Sequence, residues 1–116
     1  MKTEIVITNN FQNEAKKYLK KFKSLKTELE NLYSILLDNP KLGTPIGNST
    51  YKIRLKVKSK GKGKSGGFRI ITYLEISFTL DIPSNRLYLL TIYDKSETEK
   101  ISKLEINRIL SGLKSD

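Results

Sequence analysis

The chain contains no cysteine and no histidine. The first absence excludes disulfides and thiolate metal sites, and it suits a reducing cytoplasm. The second removes both the usual near-neutral acid–base group and the usual metal ligand. Any catalysis must therefore fall to Lys, Arg, Tyr, Asp or Glu, and neither a metal nor another cofactor is expected. No apolar run approaches the roughly 20 residues of a membrane-spanning helix. Met1–Thr8 carries one lysine but lacks the apolar stretch of a signal peptide. Together these absences predict a cytoplasmic protein without membrane contact, in which the sequon Asn48-Ser49-Thr50 is a chance match. A nucleotide-binding P-loop is missing too. Gly63-Lys64-Ser65 would need a glycine at position 58, where Lys58 stands, and it lies between two strands instead of between strand and helix.

What is present is enough for one globular domain spanning 1–116, with 37% hydrophobic and 29% charged residues. A chain of this size buries about two-thirds of the surface its unfolded form exposes. Its net charge of +10 is unevenly spread. Between Lys41 and Leu74 stand nine basic residues and no acid, the flanking acids being Asp38 and Glu75. The remaining thirteen cations face twelve acids and nearly cancel. A solubilising surface intersperses both signs. A one-sign window attracts polyanions and binds them in a salt-dependent way.

Period and punctuation predict the elements. Glu4–Thr8 reads as a short β-branched strand. Asn9 and Asn10 are good caps for a helix with Phe11, Ala15, Tyr18, Leu19 and Phe22 on its apolar side. Ser24 opens a second helix (Leu25, Leu29, Leu32, Tyr33, Leu36) that Asn39-Pro40 ends, and the short connection predicts an antiparallel helical hairpin. Lys41–Thr50, with two glycines and a proline, reads as a loop. From Tyr51 the period becomes two. Tyr51, Ile53, Leu55 and Val57 form one face, and Lys52, Arg54, Lys56 and Lys58 the other. Ser59–Gly67 (SKGKGKSGG) reads as a mobile hairpin loop, Phe68–Phe78 as a strand, Asp81–Asn85 as a connection and Arg86–Tyr93 as the last strand. Ser96-Glu97-Thr98-Glu99 has the form of a capping box, opening a terminal helix with Ile101, Leu104, Ile109 and Leu113 inward. The fold predicted is α+β: a helical hairpin on a largely antiparallel sheet of about four strands, plus a C-terminal helix.

The cationic strand face is the candidate site. Lys52 and Arg54 stand about 6–7 Å apart along one side of a strand. Hairpin pairing brings Arg69 beside them, with Tyr73 further along its own strand. Arginine offers a planar fork matched to phosphate oxygens, and a lysine crowded by cations gives up its proton more readily. Such a lysine can take the proton of a ribose 2′-hydroxyl, which then attacks the adjacent phosphorus. Arg54 and Arg69 would stabilise the phosphorane, and Lys95 or Tyr93 would protonate the leaving 5′ oxygen. Lys56, Lys58, Lys60, Lys62 and Lys64 read as general phosphate contacts or solvated charges. Tyr73 and Tyr93 fit packing as well as function, and Asp94 or Glu75 is placed to offset the cations.

Leu42–Tyr73 (LGTPIGNSTYKIRLKVKSKGKGKSGGFRIITY), followed by LLTIYDKSE (Leu89–Glu97), resembles the RelE/HigB-type toxins of bacterial toxin–antitoxin modules. Tyr-Lys-Ile-Arg-Leu, Gly-Gly-Phe-Arg and Tyr-Asp-Lys-Ser-Glu carry the similarity, which extends to the element order. The resemblance implies an endoribonuclease that cuts messenger RNA, commonly on the ribosome, and is neutralised by a co-expressed antitoxin. It implies that Lys52 and Arg54 match the catalytic strand, Arg69 the arginine of the next strand and, more loosely, Lys95 the basic residue after the last. Where such toxins often carry Tyr or His, this chain has Ile101, leaving the acid–base assignment open. Two other readings share the fold: a ParE-type inhibitor of DNA gyrase and a non-catalytic RNA-binding domain.

Overall fold

The computed structural model describes residues 2–60, 67–98 and 100–113, apart from the side chains of Lys60 and Thr79. Lys62, Lys64 and most of the glycine-rich loop lie outside the described residues. In chain order the elements are β1 (Lys2–Ile7), α1 (Asn9–Lys21), α2 (Leu25–Asp38), β2 (Thr44–Gly47), β3 (Thr50–Leu55), β4 (Phe68–Thr79), β5 (Ile82–Asp94) and α3 (Lys103–Leu113). The strands form one sheet in the order β1-β5-β4-β3-β2. Only β1, parallel to β5, departs from antiparallel pairing. The architecture is α+β, and among the described residues no helix is long and apolar enough to cross a membrane.

The sheet has five strands where four were expected. Thr44-Pro45-Ile46-Gly47 is β2, an edge strand, where a proline is tolerated because no neighbour needs its missing N–H. Asn48 and Ser49 both have positive φ, the signature of the tight type I′ turn joining β2 to β3. The span 81–85 is likewise no loop. Leu80 and Asp81, again both at positive φ, close a second two-residue turn, and β5 begins at Ile82. β3, in contrast, stops at Leu55, before Lys56 and Lys58.

Alternation along β4 divides the core in two. Phe68, Ile70 and Leu74 join Phe11, Ala15, Phe22, Leu25, Leu29, Leu32 and Leu36 on the side of α1 and α2. Ile71 faces the other way, packing with Leu90, Tyr93, Ile106 and Ile109 under α3. The helices thus cover opposite faces. The β4–β5 register slips between Ile71 and Thr72, so Leu90 is an extra residue, turned toward α3 while Leu89 faces the helical pair. Its carbonyl accepts hydrogen bonds from Asn10 Nδ2 (2.8 Å) and Thr8 Oγ1 (3.3 Å). That role displaces the expected caps. Thr8 is the N-cap of α1, accepting from the Phe11 N–H at 3.1 Å, and Asn9 already lies in the helix.

Two further expectations change. Ser24 precedes α2 but makes no side-chain cap to it. The terminal helix opens later than Ser96, whose Oγ bonds Asp94 Oδ1 at 2.8 Å. Ser102 caps it instead, accepting from the Glu105 N–H at 3.1 Å within a second Ser-x-x-Glu sequence. The shift rotates Leu104 out to 80% exposure and brings Ile106 inward beside Ile109.

Phe68 is the keystone of the larger core, fully buried with the rings of Tyr18 and Phe22 edge-on at 4.7 and 5.5 Å. Phe68→Ala should cost about 3–5 kcal/mol, read as a lowered urea midpoint at unchanged slope; a loss below 1 kcal/mol would contradict this packing.

Candidate nucleic-acid interface

The β3–β4 register sets Arg54 directly opposite Arg69, and β4–β5 sets Arg69 opposite Tyr93. Directly opposed residues in antiparallel strands share a face. Arg54, Arg69 and Tyr93 therefore form one row across three strands, with Lys52, Ile71 and Thr91 in the next row. Arg54 is exposed, and Lys52 and Arg69 are partly so. The expected convergence of Lys52, Arg54 and Arg69 is present in the structure. Opposed like charges stand about 5 Å apart at Cβ and repel.

Neither acid flanking the row offers a side-chain ion pair to those three cations among the described residues. Glu75 lies on the same face but further along β4, engaged by Arg86 (3.7 Å) and the Tyr88 hydroxyl (3.3 Å). Asp94 is buried on the helical-pair side, opposite Phe68, and its Oδ1 accepts from the Ser96 N–H at 2.9 Å. Arg69 Nη1 donates to its neighbouring carbonyl, Phe68 O, at 3.3 Å. The cations are held by backbone register, not by counter-charges.

Two glycines make that register possible. Gly43 (φ +108°) passes so close to β3 that a Cβ would meet the Lys52 carbonyl at 2.6 Å. Gly67 (φ +88°) passes the Leu55 carbonyl still more closely. A side chain at either site would push the cationic strand away, besides the strain of left-handed backbone.

Lys56 and Lys58 leave the strand but not the scaffold. Residues 58–60 form a 3₁₀ turn clamped onto the start of α2. Glu28 Oε2 accepts the Lys58 N–H (2.9 Å), Ser59 N–H donates to Ser24 Oγ (2.9 Å), and Ser24 N–H donates to Ser59 Oγ (3.0 Å). So the segment read as loop from Ser59 begins ordered. Ser24, Glu28 and Ser59 position the basic segment, a role that neither residue period nor charge signals in the sequence. Both lysines are exposed, and Lys60 lies in the same turn.

Of the remaining candidates, Tyr93 is 6% exposed beneath α3. Burial pushes its pKa up, against smaller lowering by the Ile101 backbone and the Arg69 charge, and its hydroxyl has no well-formed hydrogen bond. Lys95 is half-buried in the following turn, its N–H donating to Gly67 O at 3.3 Å. Tyr73 is not brought to the row. It stacks on Tyr88 with centroids 5.8 Å apart and lines a groove of about 690 Å³ beside α3 with Glu75, Arg86, Asn107 and Leu110. The groove has volume but lacks the arginine pair, which stands in the open row. Among the described residues no three acidic side chains gather as a metal site.

Behind the row, Tyr18 braces the turn after β5. Its hydroxyl donates to Glu97 Oε1 (3.1 Å) and accepts from the Asp94 N–H (3.4 Å). Burial chiefly, with the Glu97 charge adding, pushes its pKa up to about 12, although the Asp94 N–H pulls the other way. No protein-family model matches the chain, and no solved structure gives a significant match to it.

Removing one member of the opposed pair, as in Arg54→Ser, should leave stability unchanged or raise it by about 0.2–1 kcal/mol, the gain shrinking as salt screens the pair. A clear loss at low salt would mean that Arg54 is stabilising where it stands. Tyr18 carries a second expectation. Its folded pKa exceeds the unfolded value of about 10, so its contribution is complete below pH 10 and is lost as pH rises through 12. Alkaline denaturation curves of Tyr18→Phe should therefore fall less steeply over that interval than those of the unsubstituted protein.

Proposed function

We propose that this chain is a RelE/HigB-type toxin, a cytoplasmic endoribonuclease that cuts messenger RNA on the ribosome and is held in check by a cognate antitoxin. The observation carrying this reading is the Arg54–Arg69 pair with Lys52 one pleat away, accessible and without side-chain ion pairs among the described residues. Three cations held together by backbone geometry alone are relieved by a phosphate, whose oxygens match the arginine forks.

The chemistry needs no cofactor. Lys52 takes the proton of a ribose 2′-hydroxyl, whose oxygen attacks the adjacent phosphorus. Arg54 and Arg69 balance the charge that builds on the phosphorane oxygens. The bond to the 5′ oxygen breaks and that oxygen takes a proton, leaving a 2′,3′-cyclic phosphate and a 5′-hydroxyl. Lys95 is the better exposed of the two candidate donors. Tyr93 holds its proton firmly but sits under α3. Lys56 and Lys58, both exposed, extend the cationic surface along the strand's exit, lengthening the track for backbone phosphates.

The burial of Tyr93 and the absence of histidine also favour a second reading, a non-catalytic RNA-binding domain using the same face.

Expression without antitoxin should arrest growth and yield transcripts cut at ribosomes. Lys52→Ala and Arg69→Ala should each lower cleavage about 100-fold or more while circular dichroism stays unchanged. Arg69→Ala should also flatten the log–log salt dependence of RNA binding by about 0.7. Binding to translating ribosomes without cleavage would select the non-catalytic reading. Double-strand breaks with intact transcripts would select a ParE-type action on gyrase and sink both RNA readings.

A further inference from the structure

The end of the sheet remote from the cations carries a different surface. β3 pairs with β4 only from Phe68 to Tyr73, and the next amide, Leu74 N–H, is taken by Ser49 O at 2.9 Å. Beyond it, residues 75–79 of β4 have no strand on that side among the described residues. On the far side β1 reaches only Ser84, so a bare two-stranded ribbon projects from the body. It exposes Ile76 (56%), Phe78 (68%), Leu80 (90%) and Ile82 (66%). An unpaired edge beside a run of exposed large apolar residues is a template for strand addition.

We propose that a second copy of this chain occupies the edge, the two β4 strands pairing antiparallel about Ser77. Three observations select that occupant. The first is length. Centred on Ser77, the pairing sets Glu75 opposite Thr79 of the second copy and uses the five free residues and no others. The copy's tip turn, Leu80–Asp81, then falls beside Leu74, where the β2–β3 turn already closes the edge. The second is side-chain complementarity. Ile76 meets Phe78 of the other copy, and Phe78 meets its Ile76. That makes two aromatic–β-branched cross-strand pairs on one face, a favourable combination, with no like charges opposed.

The third is charge. The chain carries +10, yet Ile76–Asn85 holds a single charge, Asp81. Two copies meeting there bring no cations together. Arg69 lies eight residues from Ser77, about 27 Å along β4. The two basic faces would stand about 54 Å apart, several Debye lengths at physiological salt, both still open. A nucleic acid would be drawn to that opposite end, away from the neutral ribbon. The dimer requires no particular function of the basic face.

The absence of native cysteine makes the register directly testable. Directly opposed residues in antiparallel strands have Cα atoms about 4.5–5.5 Å apart, within the roughly 4.4–6.8 Å that a disulfide spans. Ser77→Cys should cross-link to a covalent dimer under mild oxidation, whereas Ser34→Cys, exposed on α2, should not. Sedimentation velocity across the micromolar range should give twice the chain mass, and Phe78→Lys should reduce it to the monomer with an unchanged circular dichroism spectrum. A monomer at every concentration overturns the proposal, as does a dimer that survives Phe78→Lys or fails to cross-link through position 77. A monomer that sediments with lipid vesicles would assign the ribbon to a membrane surface and overturn it equally.

Discussion

The pairing of Ile53 with Ile70 is the contact on which the basic face depends. Both are almost fully buried on the side of the helical pair, and burying an aliphatic side chain of this size is worth about 1.5–3 kcal/mol. A slip of β3 by one residue would turn Ile53 to solvent and drive Lys52 and Arg54 toward the core. Hydrophobic burial on one face therefore imposes cation proximity on the other. The repulsion between opposed arginines is a few tenths to about 1 kcal/mol, too small to contest it. The larger effect wins, and a concentrated positive field is its by-product.

The rest of the scaffold reinforces that register from both ends. Gly43 and Gly67 let backbone pass against the carbonyls of Lys52 and Leu55, where no other residue fits. Glu28, Ser24 and Ser59 tie the exit of β3 to the start of α2. Phe68 locks the first residue of β4 under Tyr18 and Phe22, and Tyr18 in turn holds the turn that carries Lys95. Candidate chemistry sits on strands fixed by packing, while the exposed lysines follow where the chain leaves the sheet.

The two ends of β4 divide the surface by physical character. At its start the face is cationic and accessible, held by neighbours on both sides. Toward its tip it is uncharged and apolar, with an edge that no strand among the described residues completes. One 12-residue strand thus keeps a cationic surface apart from an apolar one.

Local alternation, caps and charge counts made much of this legible in advance. The cationic and aliphatic faces of β3, the two helices, the α+β class and the convergence of Lys52, Arg54 and Arg69 follow from residue period and a hairpin connection, because those signals act between near neighbours. What depended on the choice of packing and hydrogen-bond partners was not legible. Thr44–Gly47 is a strand only because β3 offers it an edge, and Ser102 opens α3 in place of Ser96 because Asp94 claims the Ser96 hydroxyl. Leu104 faces out and Ile106 in for the same reason: helix phase is set by where packing on Ile71 and Leu90 begins. Tyr73 and Tyr93, identical in type, part company because α3 buries one beneath its start and leaves the other stacked on Tyr88. The sequence by itself determined which faces are apolar and which cationic; only tertiary contacts decided where strands end, which hydroxyl caps a helix and which tyrosine is covered, since each is settled by what packs against an element and not by the period of its own residues.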